Sequence, residues 1–225
     1  MKKSVYSVLY ADYPSEGRKV LVAKKNIQAK WWKDNNSPQG KDKYIINNPG
    51  QYVFPGGTVE GSSIEEKASK EFEEETGFIL NHRNRTIEYP KNYLSKKDPL
   101  AKEVSFYPYS GDGFDILYAK TTPEALGEIT DRFNKSIKLE DDTSHEMRKH
   151  SYKYRKDDEL ASLETMHEGN AIGIFGQQGQ KRWSEFVTPE HYNQIPKVKK
   201  LYAFSTDWFA TATKNINAAE DAGGR

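Results

Sequence analysis

Two runs rich in Val, Leu and Tyr open the chain, "SVYSVLYADY" at residues 4–13 and "KVLVAKKN" at 19–26. Between them stands "PSEGR", whose Pro and Gly mark a turn, so the pattern predicts a β-hairpin. Residues 30–50 are polar, lack a period and hold the adjacent pair Trp31 and Trp32. A loop of that length in a compact domain usually carries function or is disordered. "QYVFPGG" at 51–57 then reads as a third strand running into a turn.

The strongest helical pattern spans Ser63 to Thr76. Ser62 and Ser63 each have a glutamate three residues on, Glu65 and Glu66, which is the capping-box spacing. Gly77 stands where a helix ends in the left-handed conformation. Further on, "VSFYPYSGDGFDILYAKTT" predicts two strands around Ser110–Gly113, and a helix follows with Pro123 in its first turn. The charged stretch Leu139–Asp158 reads as loop. "ELASLETM" and "AIGIFG" are short strand candidates, and "FGQQGQ" reads as a loop. From Pro189 to about Asn217 the chain reads as helical, with breaks near Pro196 and Ser205, and "AAEDAGGR" reads as a frayed end. Strands and helices interleave, so the class is α/β or α+β.

Composition narrows the chemistry. The chain has 225 residues, enough for one substantial domain or a domain with an appendage, and no cysteine. Disulfides, thiolate metal sites and a cysteine nucleophile are therefore excluded. A formal net charge of +1 makes no overall case for a nucleic-acid or membrane partner. No apolar leader stands in residues 1–30 and no run approaches membrane-spanning length, so a soluble cytoplasmic protein is expected.

The glutamates of the 63–76 helix divide by face. At about 100° per residue from Glu71, Glu75 falls near 40° and Glu74 near 300°. Glu73 and Glu66 fall on the opposite side, near 200° and 220°. Ile64, Ala68 and Phe72 lie near 20°, 60° and 100°, the stripe expected to face the interior. Glu66 and Glu73 thus suit a solvated face, whereas Glu75 lies inside the apolar stripe and Glu71 at its edge. A carboxylate turned inward needs a partner or a cation. Lys67 stands four residues before Glu71 and Lys70 four before Glu74, but no lysine holds that spacing to Glu75. Structural pairing and a hard divalent ion remain the two readings, and the geometry favours the ion.

"GGTVEGSSIEEKASKEFEEETGF" resembles the Nudix box, whose pattern ends in Arg-Glu-apolar-x-Glu-Glu-x-Gly-apolar. Residues 70–78, "KEFEEETGF", match that ending everywhere except Lys70. The preceding "VFPGG" and the upstream hairpin are also similar to the family, and the order of elements extends the resemblance over about residues 4–175. Two features depart from it: Lys70 replaces the family arginine, and the segment before the helix is one residue short, leaving Ser62 or Ser63 in place of the first family glutamate.

The resemblance implies a Nudix-like α/β/α sandwich around a mixed sheet over residues 1–186, with a C-terminal helical extension at 187–225 packed on it. It implies hydrolysis of the pyrophosphate bond in a nucleoside diphosphate linked to another moiety, with Mg²⁺ or Mn²⁺. Metal ligands would be Glu71, Glu75 and Glu74, with the carbonyl of Gly56 or Gly57. Glu74 would alternatively act as the base, Lys70 would steady it, and Glu159 is a further candidate base. The departures keep open a nucleotide-binding module that has lost turnover. Action on RNA 5′ ends is less favoured by the near-zero charge.

His145 and His150 are five apart, so on a helix they diverge and do not suggest a zinc site. Tyr52 and Phe54 share one face of a strand and read as core. Trp31 and Trp32 are candidates to stack on a nucleobase, against a plain packing role. If one stacks, its replacement by Ala should weaken substrate binding by about 1–3 kcal/mol with the fold intact. A large fall in melting temperature with unchanged KM would instead show core packing.

Overall fold

A computed structural model describes residues 3–29, 43–44, 48–58, 60–61, 63–88, 100–111, 113–141, 159–194 and 207–223. Trp31, Trp32, Ser62, His145, His150, Pro196 and Ser205 lie outside these residues, as do most of the two expected loops at 30–50 and 139–158.

The predicted hairpin forms: β1 (Ser4–Tyr13) and β2 (Gly17–Lys25) pair antiparallel, Tyr10 opposite Val20. Short strands β3 (Gln28–Ala29) and β4 (Lys43–Tyr44) pair with each other. The expected single strand at 51–57 is instead two, β5 (Tyr52–Val53) on β2 and β6 (Gly56–Gly57) on β1. Pro55 between them has no N–H to extend a ladder, and its carbonyl accepts from Ser7 N at 2.9 Å. The chain therefore switches partner at that point.

Helix α1 (Ile64–Thr76) has the boundaries the sequence predicts. Ser63 is the N-cap, its side chain accepting from Glu66 N at 3.2 Å. Gly77 ends the helix at φ 80°, and its N–H donates to Glu73 O at 2.8 Å. A small antiparallel sheet follows, β7 (Ile79–Asn81), β8 (Thr86–Glu88) and β9 (Ala101–Lys102). Strands β10 (Ser105–Ser110) and β11 (Phe114–Lys120) form the second predicted hairpin. β11 lies parallel to β1, with Ser4 opposite Phe114, which makes the main sheet mixed. Helix α2 (Pro123–Asp141) leads toward β12 (Leu160–His167), which pairs antiparallel with β2 and closes the order β10-β11-β1-β2-β12.

Side-chain alternation along the strands separates two faces of the sheet. Ser7 Oγ reaches Ala68 O of α1, and Tyr13 Oη reaches Pro123 O of α2, so these helices cover one face. Tyr6, Tyr10 and Tyr118 point to the other, which is covered by α3 (Glu168–Gly179), α5 (Asp207–Lys214) and α6 (Ile216–Gly223); the short α4 (Pro189–Gln194) precedes α5. The result is an α/β/α sandwich whose second layer comes from the C-terminal helices.

Three expectations at the C-terminal side are corrected. "AIGIFG" is not a strand, and most of "FGQQGQ" is not a loop; both lie in α3. Its buried residues Ala171, Phe175 and Gln178 recur at intervals of four and three, and six apolar residues were too few to show that period. Residues 218–223 are not frayed but belong to α6. Glu220 accepts from Tyr10 Oη at 2.9 Å and pairs with Arg18 at 3.2 Å and Lys120 at 2.8 Å, contacts that only the fold could supply. Among the described residues no helix is long and apolar enough to cross a membrane.

Phe209 of α5 is fully buried against Tyr6, Phe54, Phe175 and Trp208. Phe209→Ala should cost about 3–5 kcal/mol in denaturant unfolding, the range for a large aromatic removed from a core. A loss below about 1 kcal/mol would mean that the second layer is not packed as described.

Candidate active site

The box glutamates meet the sheet where β6 crosses β1. Val5 stands opposite Gly57 and Tyr6 opposite Gly56. The contact is close enough that a Cβ on Gly56 would lie 2.2 Å from Val5 O, so no other residue fits. A Cβ on Gly57 would lie 2.7 Å from Glu71 Oε2. The two glycines thus let the backbone pass directly over two carboxylates of α1. Gly56 N–H donates to Glu75 Oε2 at 2.8 Å.

Glu75 is buried, 3 % exposed, as its place in the apolar stripe predicts. It is not left without a cation. Lys25, at the end of β2, lies with Nζ 3.7 Å from Glu75 Oε1. The same ammonium donates to Glu159 Oε2 at 2.6 Å. Lys25 is itself 7 % exposed. Burial would lower its pKa, but Glu75 and Glu159 outweigh that and hold it above the usual lysine value, so it carries its charge.

Glu159 reaches this position through an irregularity in β12. Met166, Thr165, Glu164, Leu163 and Ser162 run in register with Val20 to Lys24, but Leu160 rather than Ala161 stands opposite Lys25. A bulge therefore absorbs one residue and brings Glu159 beside Asn26, whose N–H donates to the Glu159 carbonyl at 2.7 Å.

Glu71 completes the cluster. Burial raises its pKa first, then repulsion from Glu74 and Glu159; Lys25 and Lys70 pull the other way without cancelling them, leaving it at about 7. Lys70 lies exposed on the outer side of α1. Glu66 and Glu73 sit apart from the buried carboxylate, Glu66 within 3.8 Å of Arg83 near the surface.

Of the sequence candidates, Glu71, Glu74, Glu75, Gly56, Gly57 and Glu159 come together here. The residue that sequence reasoning missed is Lys25. It stands in a strand where a lysine ordinarily points to solvent, and only the pairing of β2 with β5 and β12 turns it inward. Its position two residues beyond the apolar run Val20–Ala23, on the same side of the strand as Ala23, was the one available signal.

A set of carboxylate donors suits a hard divalent cation, and the repulsion that adds to burial at Glu71 is what such a cation would relieve. Among the described residues, however, no three His, Cys, Asp or Glu side chains converge on one point as they stand. The Lys25 ammonium lies between two of them.

No family model matches the chain, and no curated protein does. Solved structures that resemble it include Nudix hydrolases. One from Alicyclobacillus acidocaldarius shares 12% identity at a TM-score of 0.43, covering 100% of this chain and 96% of that one. One from M. smegmatis shares 13% at a TM-score of 0.35, covering 95% and 86%. The MutT protein of Methanosarcina mazei shares 16% at a TM-score of 0.21, and the match spans 53% of this chain and 59% of that one. At these values the chemistry has to be argued from the site.

The Glu71 shift yields a pH dependence. Its folded pKa of about 7 lies above the ordinary 4.5, so between these values the native state binds the extra proton. Stability from this group is full below about pH 4.5 and is lost as pH rises through about 7. Urea unfolding with chelator present should show wild type weakening from pH 5 to pH 8 and Glu71→Gln largely spared. Equal weakening in both would rule out Glu71 as the source.

Proposed function

We propose that this chain is a divalent-metal-dependent pyrophosphohydrolase acting on a nucleoside diphosphate linked to another moiety. The observation that carries the reading is the placement of Glu71 and Glu75 against the Gly56–Gly57 turn, the first with a pKa raised by burial and by its acidic neighbours, the second buried.

Glu71 and Glu75, with the carbonyl of Gly56 or Gly57 and with Glu74 where Glu159 is the base, would hold Mg²⁺ or Mn²⁺, which supplies neutralisation of the diphosphate charge and a more acidic bound water. The protein residues do the rest. Gly56 N–H fixes the Glu75 carboxylate so that it need not reorganise. Glu74 takes a proton from the attacking water as its oxygen adds to phosphorus and the bridging P–O bond breaks, the leaving phosphate carrying off the bond's electron pair. Lys70, one helical turn before Glu74, steadies that base by a single charged hydrogen bond where arginine would offer two. Glu159 is the alternative base, held at the site's edge by Lys25. Trp31 or Trp32 would stack on the base of the nucleotide.

A second reading has one observation in its favour: Lys25 already supplies a cation to Glu75 and Glu159. A nucleotide-binding module without turnover would keep such an arrangement. Product formation from nucleoside diphosphate derivatives, with and without Mg²⁺ or Mn²⁺, separates the two.

Glu75→Gln keeps shape and removes charge, and should abolish most metal-dependent turnover while the protein stays folded by circular dichroism. Glu73→Gln, on the opposite side of α1, should leave turnover near wild type. Equal losses from the two substitutions would sink the assignment.

A further inference from the structure

Lys25 poses a difficulty for any cation that would use Glu75 or Glu159. Its Nζ lies 3.7 Å from one carboxylate and 2.6 Å from the other, and it is 7 % exposed. A divalent ion drawn to those oxygens would face a buried ammonium within a few ångströms, where like charges repel strongly. One of the two cations has to leave, and a buried ammonium cannot leave without an acceptor to receive it.

A candidate acceptor belongs to the residue bonded to the Lys25 backbone. Lys25 N donates to Gln51 O at 2.9 Å, and Lys24 pairs with Tyr52 in the adjacent ladder position. Gln51 thus lies one position before β5, joined to Lys25 by a single backbone bond while its own N–H donates to Asn48 O at 3.2 Å. Gln51 is fully buried, yet its Oε1 and Nε2 both lack a hydrogen-bond partner among the described residues. Unpaired buried amides are uncommon and costly. The amide oxygen is an unused acceptor on the residue whose backbone is bonded to that of Lys25.

We propose that Lys25 is a tethered cation that clamps Glu75 and Glu159 in the metal-free protein and transfers to the Gln51 amide oxygen when a divalent cation binds. This rests on the metal-binding reading of the preceding subsection. Lys25 thus sets how tightly the site takes metal, as a positioning residue that competes with the ion. In the metal-free state it spares the buried Glu75 an uncompensated charge. In the loaded state Gln51 spares the ammonium the same fate and satisfies its own oxygen.

The test uses the full-length protein after chelator treatment. Free Mn²⁺ is followed by electron paramagnetic resonance during titration, and melting temperature is measured with and without Mn²⁺. Lys25→Met should lower the metal-free melting temperature, recover it on adding Mn²⁺, and bind Mn²⁺ at least about tenfold more tightly than wild type, a size known for groups that orient metal ligands. Lys25→Arg, which grips carboxylates with two bonds, should weaken Mn²⁺ binding by a similar factor. Gln51→Met, which removes the landing site without changing bulk, should weaken Mn²⁺ binding about tenfold while leaving the metal-free melting temperature equal or higher.

Unchanged or weaker Mn²⁺ affinity in Lys25→Met would overturn the proposal and leave Lys25 a structural clamp. If Lys25→Met does not fold, the other two variants decide it, and wild-type affinity in both overturns it. Mn²⁺ binding by Lys25→Met but not by wild type would support the competition and defeat the metal-enzyme reading of the natural chain. Mn²⁺ left free by wild type and every folded variant would defeat both.

Discussion

A carboxylate kept inside the protein sets the terms for this site. Glu75 cannot be dehydrated alone, because an unpaired buried charge costs more than a domain's whole margin of stability. Gly56 N–H and Lys25 Nζ together meet that cost. Each contact ties a different element to α1, the β6 turn in one case and the end of β2 in the other. The turn in turn has no freedom to move away, since Gly56 already lies against the backbone of β1. Helix, turn and hairpin are thus locked into one arrangement by a single ionised group.

The same lock explains the shape of the electrostatics. Glu71, Glu74, Glu75 and Glu159 act on one another within a small region, and Lys25 is the buried cation among them. Burial first, and then the charges of Glu74 and Glu159, raise the pKa of Glu71 to about 7. Two ways of relieving that repulsion exist in this chain: a proton on Glu71 or a cation from solution. A site poised between them is what the proposed reaction on a diphosphate would call for, since that reaction needs an extra cation.

The helices at the C-terminal end matter to the site although they lie on the opposite face of the sheet. Phe209, Trp208 and Phe175 pack under Tyr6 and Phe54, residues of β1 and of the segment leading to Gly56. The strand that carries the glycine contact is therefore supported from behind. On the same face, Glu220 gathers Tyr10, Arg18 and Lys120, so the last helix is held by charge as well as by apolar area. Asp12, pulled down to about 2 by its hydrogen bonds to Arg18 and Lys120, belongs to the same network.

The sequence by itself determined the local elements and half of the site. Strand-prone residues with Pro/Gly punctuation specified both hairpins, and Ser63 with Gly77 specified α1 to the residue, because caps depend on neighbours three or four positions away. Helical spacing alone separated Glu75 from Glu73, since the apolar stripe is a property of the chain's own period. What only the tertiary structure decided were the contacts between distant segments. Lys25 and Glu159 are separated by 134 positions, and a β-bulge sets where Glu159 falls. The burial of "AIGIFG" as helix and the docking of residues 218–223 likewise depend on partners far along the chain. A short segment's own pattern does not say which charge will face it across a sheet, and it is that pairing, made by strand register, that turned an ordinary lysine into the counter-ion of a buried glutamate.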